Sequence, residues 1–88
     1  MKYYYMYIIT RSNNTISGVN NILYNTIDDA LQDAKSEFQF NNSAYNYFID
    51  EDNFVEFEDE ITYKVYNQGL YAYRGKLSYL INIIRMKA

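Results

Sequence analysis

The 88-residue chain contains no cysteine, histidine, tryptophan or proline. Without cysteine there is neither a disulfide framework nor a thiolate zinc site. Without histidine the common proton shuttle and the commonest metal ligand are missing, and Ser–His and Cys–His nucleophile pairs are excluded. Glycine is almost as scarce. Gly18, Gly69 and Gly75 stand far apart, so no Walker or dinucleotide-binding loop exists. Gly75-Lys76 before a helix would offer backbone N–H groups to an anion, but reads first as a turn. No apolar run approaches the ~18 residues of a membrane helix. The N-terminal run 2–10 is full of Tyr, with no small-residue cleavage site after it, and reads as a strand and not as a signal peptide. A calcium loop starting at Asp50 and Asp52 fails, because Phe54, Val55 and Ile61 occupy its fifth, sixth and twelfth positions. These absences leave no cofactor, no metal and no catalytic set to expect, and point to a non-enzymatic protein with an intracellular setting.

Tyrosine and asparagine are abundant, and the charge is segregated. Twelve Tyr and a net charge of −3 come with an aromatic content that argues for a globular fold and against disorder. At this length one domain is expected, burying roughly 60% of its unfolded surface. All eleven acidic residues lie at or before Glu60, where three basic residues oppose them, giving −8; from Ile61 onward five basic residues stand alone, giving +5, and the sum is −3. Such asymmetry fits an acidic patch that meets a basic partner, or two halves that neutralise each other in the fold.

Periodicity supplies the elements. Residues 2–10 are apolar on both alternations, which places that strand centrally in a sheet. Arg11-Ser12-Asn13-Asn14 ends it, Ser17-Gly18 and Asn20-Asn21 read as further turns, and Ile22-Leu23-Tyr24 reads as a short edge strand. Ile27, Ala30, Leu31, Ala34 and Phe38 fall at i, i+3, i+4, i+7 and i+11, predicting a helix near 27–40 with Thr26 as N-cap and Asp28 and Asp29 in its first turn. Asp29, Asp33 and Glu37 step by four along what should be its outer face. Ala44 to Ile49 reads as a helical turn or an irregular aromatic segment, and Asp50-Glu51-Asp52-Asn53 as a polar turn.

Residues 54–66 then alternate as one long strand. Val55, Phe57, Ile61, Tyr63 and Val65 form an apolar face with Asp59 as a misfit. Glu56, Glu58, Glu60 and Lys64 form a charged face. A bulge or chain reversal at Asp59 would explain the misfit, and a reversal would make this strand two and put the acidic row at a loop tip. Leu70 to Arg74 completes a hairpin after Asn67-Gln68-Gly69. In the tail, Leu77, Leu80, Ile81 and Ile84 line one side of a helix near 76–86. As a strand, Leu77, Tyr79, Ile81 and Ile83 alternate with Ser78 and Asn82, but Leu80 and Ile84 break the pattern. The fold class expected is α+β: an antiparallel sheet with a central N-terminal strand 2–10 and strands near 54–66 and 70–74, a helix near 27–40 and a C-terminal helix near 76–86 packed on one face. The other face stays partly open and carries Glu56, Glu58 and Glu60.

Protein binding is the function class this composition favours, because Tyr offers rigid amphipathic contact area and the carboxylates suit a basic surface. The size, the missing Cys and His, the Asn/Tyr/Ile richness and the acidic run Glu56-Phe57-Glu58-Asp59-Glu60 together resemble, at the level of class, the small acidic accessory proteins of phages and mobile elements, among them anti-CRISPR and other anti-defence inhibitors. The resemblance implies an inhibitor that acts in the cytoplasm of an infected or element-carrying host cell. It would occupy a basic nucleic-acid-handling surface of a protein partner such as a CRISPR effector. Partner-binding residues would be Glu56, Glu58, Glu60, Asp29, Asp33, Glu37, Tyr71 and Tyr73. Two alternatives stand beside it. One is a single-stranded nucleic-acid-binding module using Lys64, Tyr66, Tyr71, Tyr73, Arg74 and Lys76, which a pI near 4.7 opposes. The other is a homo-oligomeric accessory protein, a homodimer included.

Overall fold

A computed structural model describes residues 2–40, 47–67 and 75–87, with the side chains of Gln39 and Phe40 outside the description. Among these residues five strands and one helix follow in the order β1 (Tyr3–Arg11), β2 (Ile16–Tyr24), α1 (Ile27–Phe40), β3 (Tyr47–Phe57), β4 (Glu60–Asn67) and β5 (Leu77–Lys87). The strands form one antiparallel sheet in the order β2-β1-β5-β4-β3, with α1 packed across one face. The fold is therefore mainly β, not the α+β arrangement with two helices that the sequence pattern led us to expect.

The correction centres on the C-terminal segment. Residues 77–87 are a strand, and it occupies the middle of the sheet, paired with β1 on one side and β4 on the other. Ile81 and Ile83 on its helix-covered face are essentially inaccessible, while Leu80, Asn82, Ile84 and Met86 face the opposite side. A strand with apolar side chains on both faces breaks simple alternation, which is why Leu80 and Ile84 mimicked a helical stripe. β1 is internal as expected, but one place off centre.

The long strand expected over residues 54–66 is two strands. β3 and β4 meet through a two-residue turn, with Phe57 opposite Glu60 and Glu58-Asp59 between them. Glu58 has φ 55°, at the first central position where such a turn favours glycine. The reversal occurs at the Asp59 misfit. β3 also begins earlier than expected, taking in Tyr47, Phe48 and Ile49, and Asp50 to Asn53 do not reverse the chain. They form a bulge, because Asp50 pairs with Lys64 while the next pairing is Val55 with Thr62. The buried Asp50 carboxylate builds that bulge by accepting hydrogen bonds from the Asn53 backbone N–H (3.3 Å) and its side-chain amide (3.2 Å). The strand expected over residues 70–74 lies outside the described residues.

β2 shows the same chemistry. Ser17-Gly18 and Asn20-Asn21 lie inside a nine-residue edge strand instead of turns. Asn20 accepts a hydrogen bond from the Ile22 N–H at 2.8 Å, which accompanies a shift in register between Tyr5 and Tyr7. The β1–β2 turn itself falls at residues 12–15, with Asn14 at φ 70° and Asn13 accepting from Thr15.

α1 follows its sequence signals. Thr26 Oγ1 accepts the Asp29 N–H at 3.1 Å, as an N-cap should. Ala30, Leu31 and Ala34 are buried against Tyr7, Ile9, Tyr24, Tyr63, Val65, Ile81 and Ile83, with Ile27 and Phe38 packed at either end of the stripe. The two alanines let the helix backbone sit close to the sheet, and each fully buried Ile or Val contributes roughly 1.5–3 kcal/mol. Tyr7, Tyr24 and Tyr63 are buried and the other described Tyr are half-buried, so the rings pad the sheet while leaving part of their surface exposed.

Candidate partner-binding surface

Pairing partners in an antiparallel ladder share a face, so the register assigns each expected site residue its side. Glu56 lies opposite Ile61, which lies opposite Ile83, on the helix-covered side. Glu60 lies opposite Ile84 on the uncovered side. Glu58 is in the turn. The two-residue loop switches the alternation between β3 and β4, so Glu56, Glu58 and Glu60 do not form a row on one open face. They converge instead on one end of a hairpin.

That hairpin is the most exposed part of the described chain. Residues 51–60 are all exposed and include Glu51, Asp52, Glu56, Glu58, Asp59 and Glu60. Large apolar side chains stand among these carboxylates: Phe54 is 47% exposed, Val55 53% and Phe57 71%. Two cations reach in. Lys35 on α1 pairs with Glu51 at 3.0 Å, and Arg85 on β5 pairs with Asp59 at 3.3 Å while lying 5.0 Å from the Tyr3 ring. The Arg85 N–H also donates to the Asp59 carbonyl at 2.7 Å, which fastens the turn to the central strand. Glu56, Glu58 and Glu60 make no ion pair among the described residues.

The bulge brings a second group of carboxylates together on the helix side. Glu51, Asp28 and Glu56 all lie near Tyr63, whose phenol is pushed above 10 by burial first and by these three charges after it. Phe54 packs on the same Tyr63 ring at 5.7 Å. Asp28, Glu51, Phe54 and Phe57 were not among the expected partner-binding residues. The signal was present: a reversal at Asp59 exchanges the faces of everything before it.

The expected helix stripe behaves differently. Asp29 and Asp33 are exposed, but Glu37 is half-buried, and its Oε2 is inaccessible and accepts no hydrogen bond. The stripe leans toward β1 and β2, at the other edge of the sheet from the hairpin. There Asn20 donates one amide hydrogen bond to the Tyr7 hydroxyl (3.0 Å) and another to that of Tyr24 (2.9 Å). Burial raises both phenols above 10, and the Glu37 and Asp33 carboxylates push in the same direction. Asp29, Asp33 and Glu37 therefore do not join Glu56, Glu58 and Glu60 in one patch. Tyr71, Tyr73 and Arg74 lie outside the described residues. Lys64 and Tyr66 are on the uncovered sheet face.

Among the described residues no three carboxylates are placed to hold a metal ion, and no helix is long and apolar enough to cross a membrane. No family model, curated protein or solved structure matches the chain.

Proposed function

We propose that the protein is a small non-enzymatic binding protein whose β3–β4 hairpin docks on a basic, nucleic-acid-handling surface of a protein partner. One observation carries this reading: the exposed segment 51–60 combines six carboxylates with Phe54, Val55 and Phe57. Carboxylates alone would serve as a solvated edge. Large apolar groups set among them supply what a docking surface needs in addition, a desolvated contact inside a charged rim. The carboxylates steer approach and set partner choice, and the apolar groups hold the complex. Occupying a nucleic-acid channel would make the protein an inhibitor of the anti-defence kind, with a CRISPR effector among the partners of suitable chemistry and the host cytoplasm as its place of action.

The test uses the full chain immobilised on a support and exposed to host lysate, with elution by heparin. The wild type should retain nucleic-acid-binding proteins that heparin releases, and E56K/E58K/E60K should lose them while keeping its circular dichroism spectrum. Retention of the same proteins by the charge-reversed variant, or the absence of any heparin-released protein, would remove the proposal.

A second reading, self-association, is favoured by the uncovered sheet face. Tyr4, Met6, Ile8, Leu80, Ile84 and Met86 lie there half-buried, and no described element packs on them. Sedimentation velocity at micromolar concentration decides it: a monomer that Ile8→Lys leaves unchanged rules this face out as a dimer contact.

A further inference from the structure

At the far end of β5 from the acidic turn, a cavity of about 150 Å³ opens between the C-terminal half of α1 and the sheet. Phe38, Tyr47 and Tyr79 line it, with Ile9, Gly18 and Glu37. The three rings stand mutually steep: Phe38 to Tyr47 at 5.4 Å and 62°, Phe38 to Tyr79 at 5.3 Å and 64°, Tyr47 to Tyr79 at 5.8 Å and 75°. Three steeply inclined rings at this spacing pack edge to face as one aromatic cluster on the cavity wall.

The polar side of the cavity is a carboxylate. Glu37 lines the cavity and is half-buried there, so its carboxylate charge is less screened than one in open water. The neighbouring Lys35 is engaged with Glu51 on β3. Gly18 lines the cavity from edge strand β2. It pairs with Ile9 and so faces the helix side, and a Cβ at this position would meet nothing within 4 Å. Edge strand β2 therefore leaves a gap where any other residue would place a side chain.

We propose that this cavity binds an alkylated ammonium group, such as the headgroup of a choline-like molecule or of a methylated lysine side chain. Aromatic walls attract a cation through their ring quadrupoles, and they favour a methylated cation because it is weakly hydrated and presents apolar methyls. Glu37 supplies the opposite charge. The volume is below the ~300–1,000 Å³ of sites for drug-sized ligands, so a headgroup enters and the remainder of the molecule passes out beside Gly18.

The experiment titrates the full chain with choline, with Nα-acetyl-trimethyllysine amide, and with 3,3-dimethylbutan-1-ol, the neutral shape analogue of choline, while following the NMR signals of Gly18, Phe38 and Tyr79. Saturable binding of either cation is expected, with a Kd on the order of millimolar. The neutral analogue should bind about tenfold more weakly, since it lacks the charge that aromatic walls and a carboxylate attract. Preference between the two cations identifies the source of the headgroup. Gly18→Leu should abolish binding by filling the cavity from a site where the fold has room, and Glu37→Gln should weaken it without blocking entry. Equal binding of the neutral analogue, shifts confined to residues outside the cavity, no saturation by either cation, or full binding by Gly18→Leu would each overturn the proposal.

Discussion

The two edges of the sheet use one device for opposite ends. In β2, Asn20 folds back on the Ile22 N–H and makes a bulge; in β3, Asp50 folds back on Asn53 and makes another. At the neutral β2 edge the remaining Asn20 donors turn inward, to the hydroxyls of Tyr7 and Tyr24. At the acidic β3 edge the bulge leaves Glu51, Asp52 and Phe54 exposed, with Phe54 resting on the Tyr63 ring. The same local hydrogen-bonding habit thus turns polar groups toward the core on one strand and presents carboxylates to solvent on the other. Both bulges also interrupt an edge that would otherwise offer an unbroken row of N–H and C=O groups to another chain, and carboxylates add to that protection on β3.

The contrast can be tested by removing each device. Asp50→Ala should have the largest effect, a loss of about 2–3 kcal/mol measured by urea unfolding, because it takes a buried carboxyl acceptor from its donors. It should also sharpen the β3–β4 pairing signals if the bulge closes. Asn20→Ala should cost less, about 1–2 kcal/mol, since its lost bonds are between neutral groups. An equal cost at both positions would mean that the carboxyl and the amide hold their bulges equally well. Alkaline titration sharpens the comparison further. Tyr7, Tyr24 and Tyr63 have phenols raised above 10 in the folded state. Folding therefore holds protons more tightly there, so stability is intact below pH 10 and falls as the pH rises above it. Unfolding at pH 9 and pH 11 should show that loss, and tyrosinate absorbance should show Tyr24 among the last groups to ionise. The smallest effect is expected at the turn. Glu58→Gly relieves a positive φ, partly offset by the freedom glycine adds to the unfolded chain, for a net gain of about 0.5 kcal/mol.

Legibility in the sequence followed how one-sided each element is. α1 could be read because its apolar stripe, Thr26 cap and polar back agree with one another. β1 could be read because apolar residues on both alternations signal a strand covered twice. The same criterion applies to residues 77–86, where Tyr79, Ile81 and Ile83 alternate with Leu80, Ile84 and Met86. It was obscured because Leu77, Leu80, Ile81 and Ile84 also fit a helical spacing. Pairing with β1 and β4 decides between the two, and that information is not local. The bulges were half legible. Asn20-Asn21 and Asp50 to Asn53 do bend the backbone, but whether such a bend ends a strand depends on whether pairing resumes beyond it. In the candidate site, the carboxylates were visible by count, and the misfit at Asp59 marked the reversal. Their division between two faces was not visible, because a two-residue turn inverts the alternation. Glu37 was placed with Asp29 and Asp33 by its spacing of four, and only the packing of α1 on β1 and β2 shows its buried oxygen.

The position of β5 has a consequence for how the molecule assembles. β1–β2 and β3–β4 are each hairpins of neighbours in the chain, yet within the sheet they meet only through a strand that follows both. Tyr3 pairs with Lys87, so closure joins segments more than eighty residues apart. During vectorial synthesis both hairpins leave the ribosome before the strand that unites them, and each is marginal alone in water. The sheet should therefore form in one late step, in which β5 enters a slot between two loosely ordered halves, and that step rather than hairpin closure should set the folding rate.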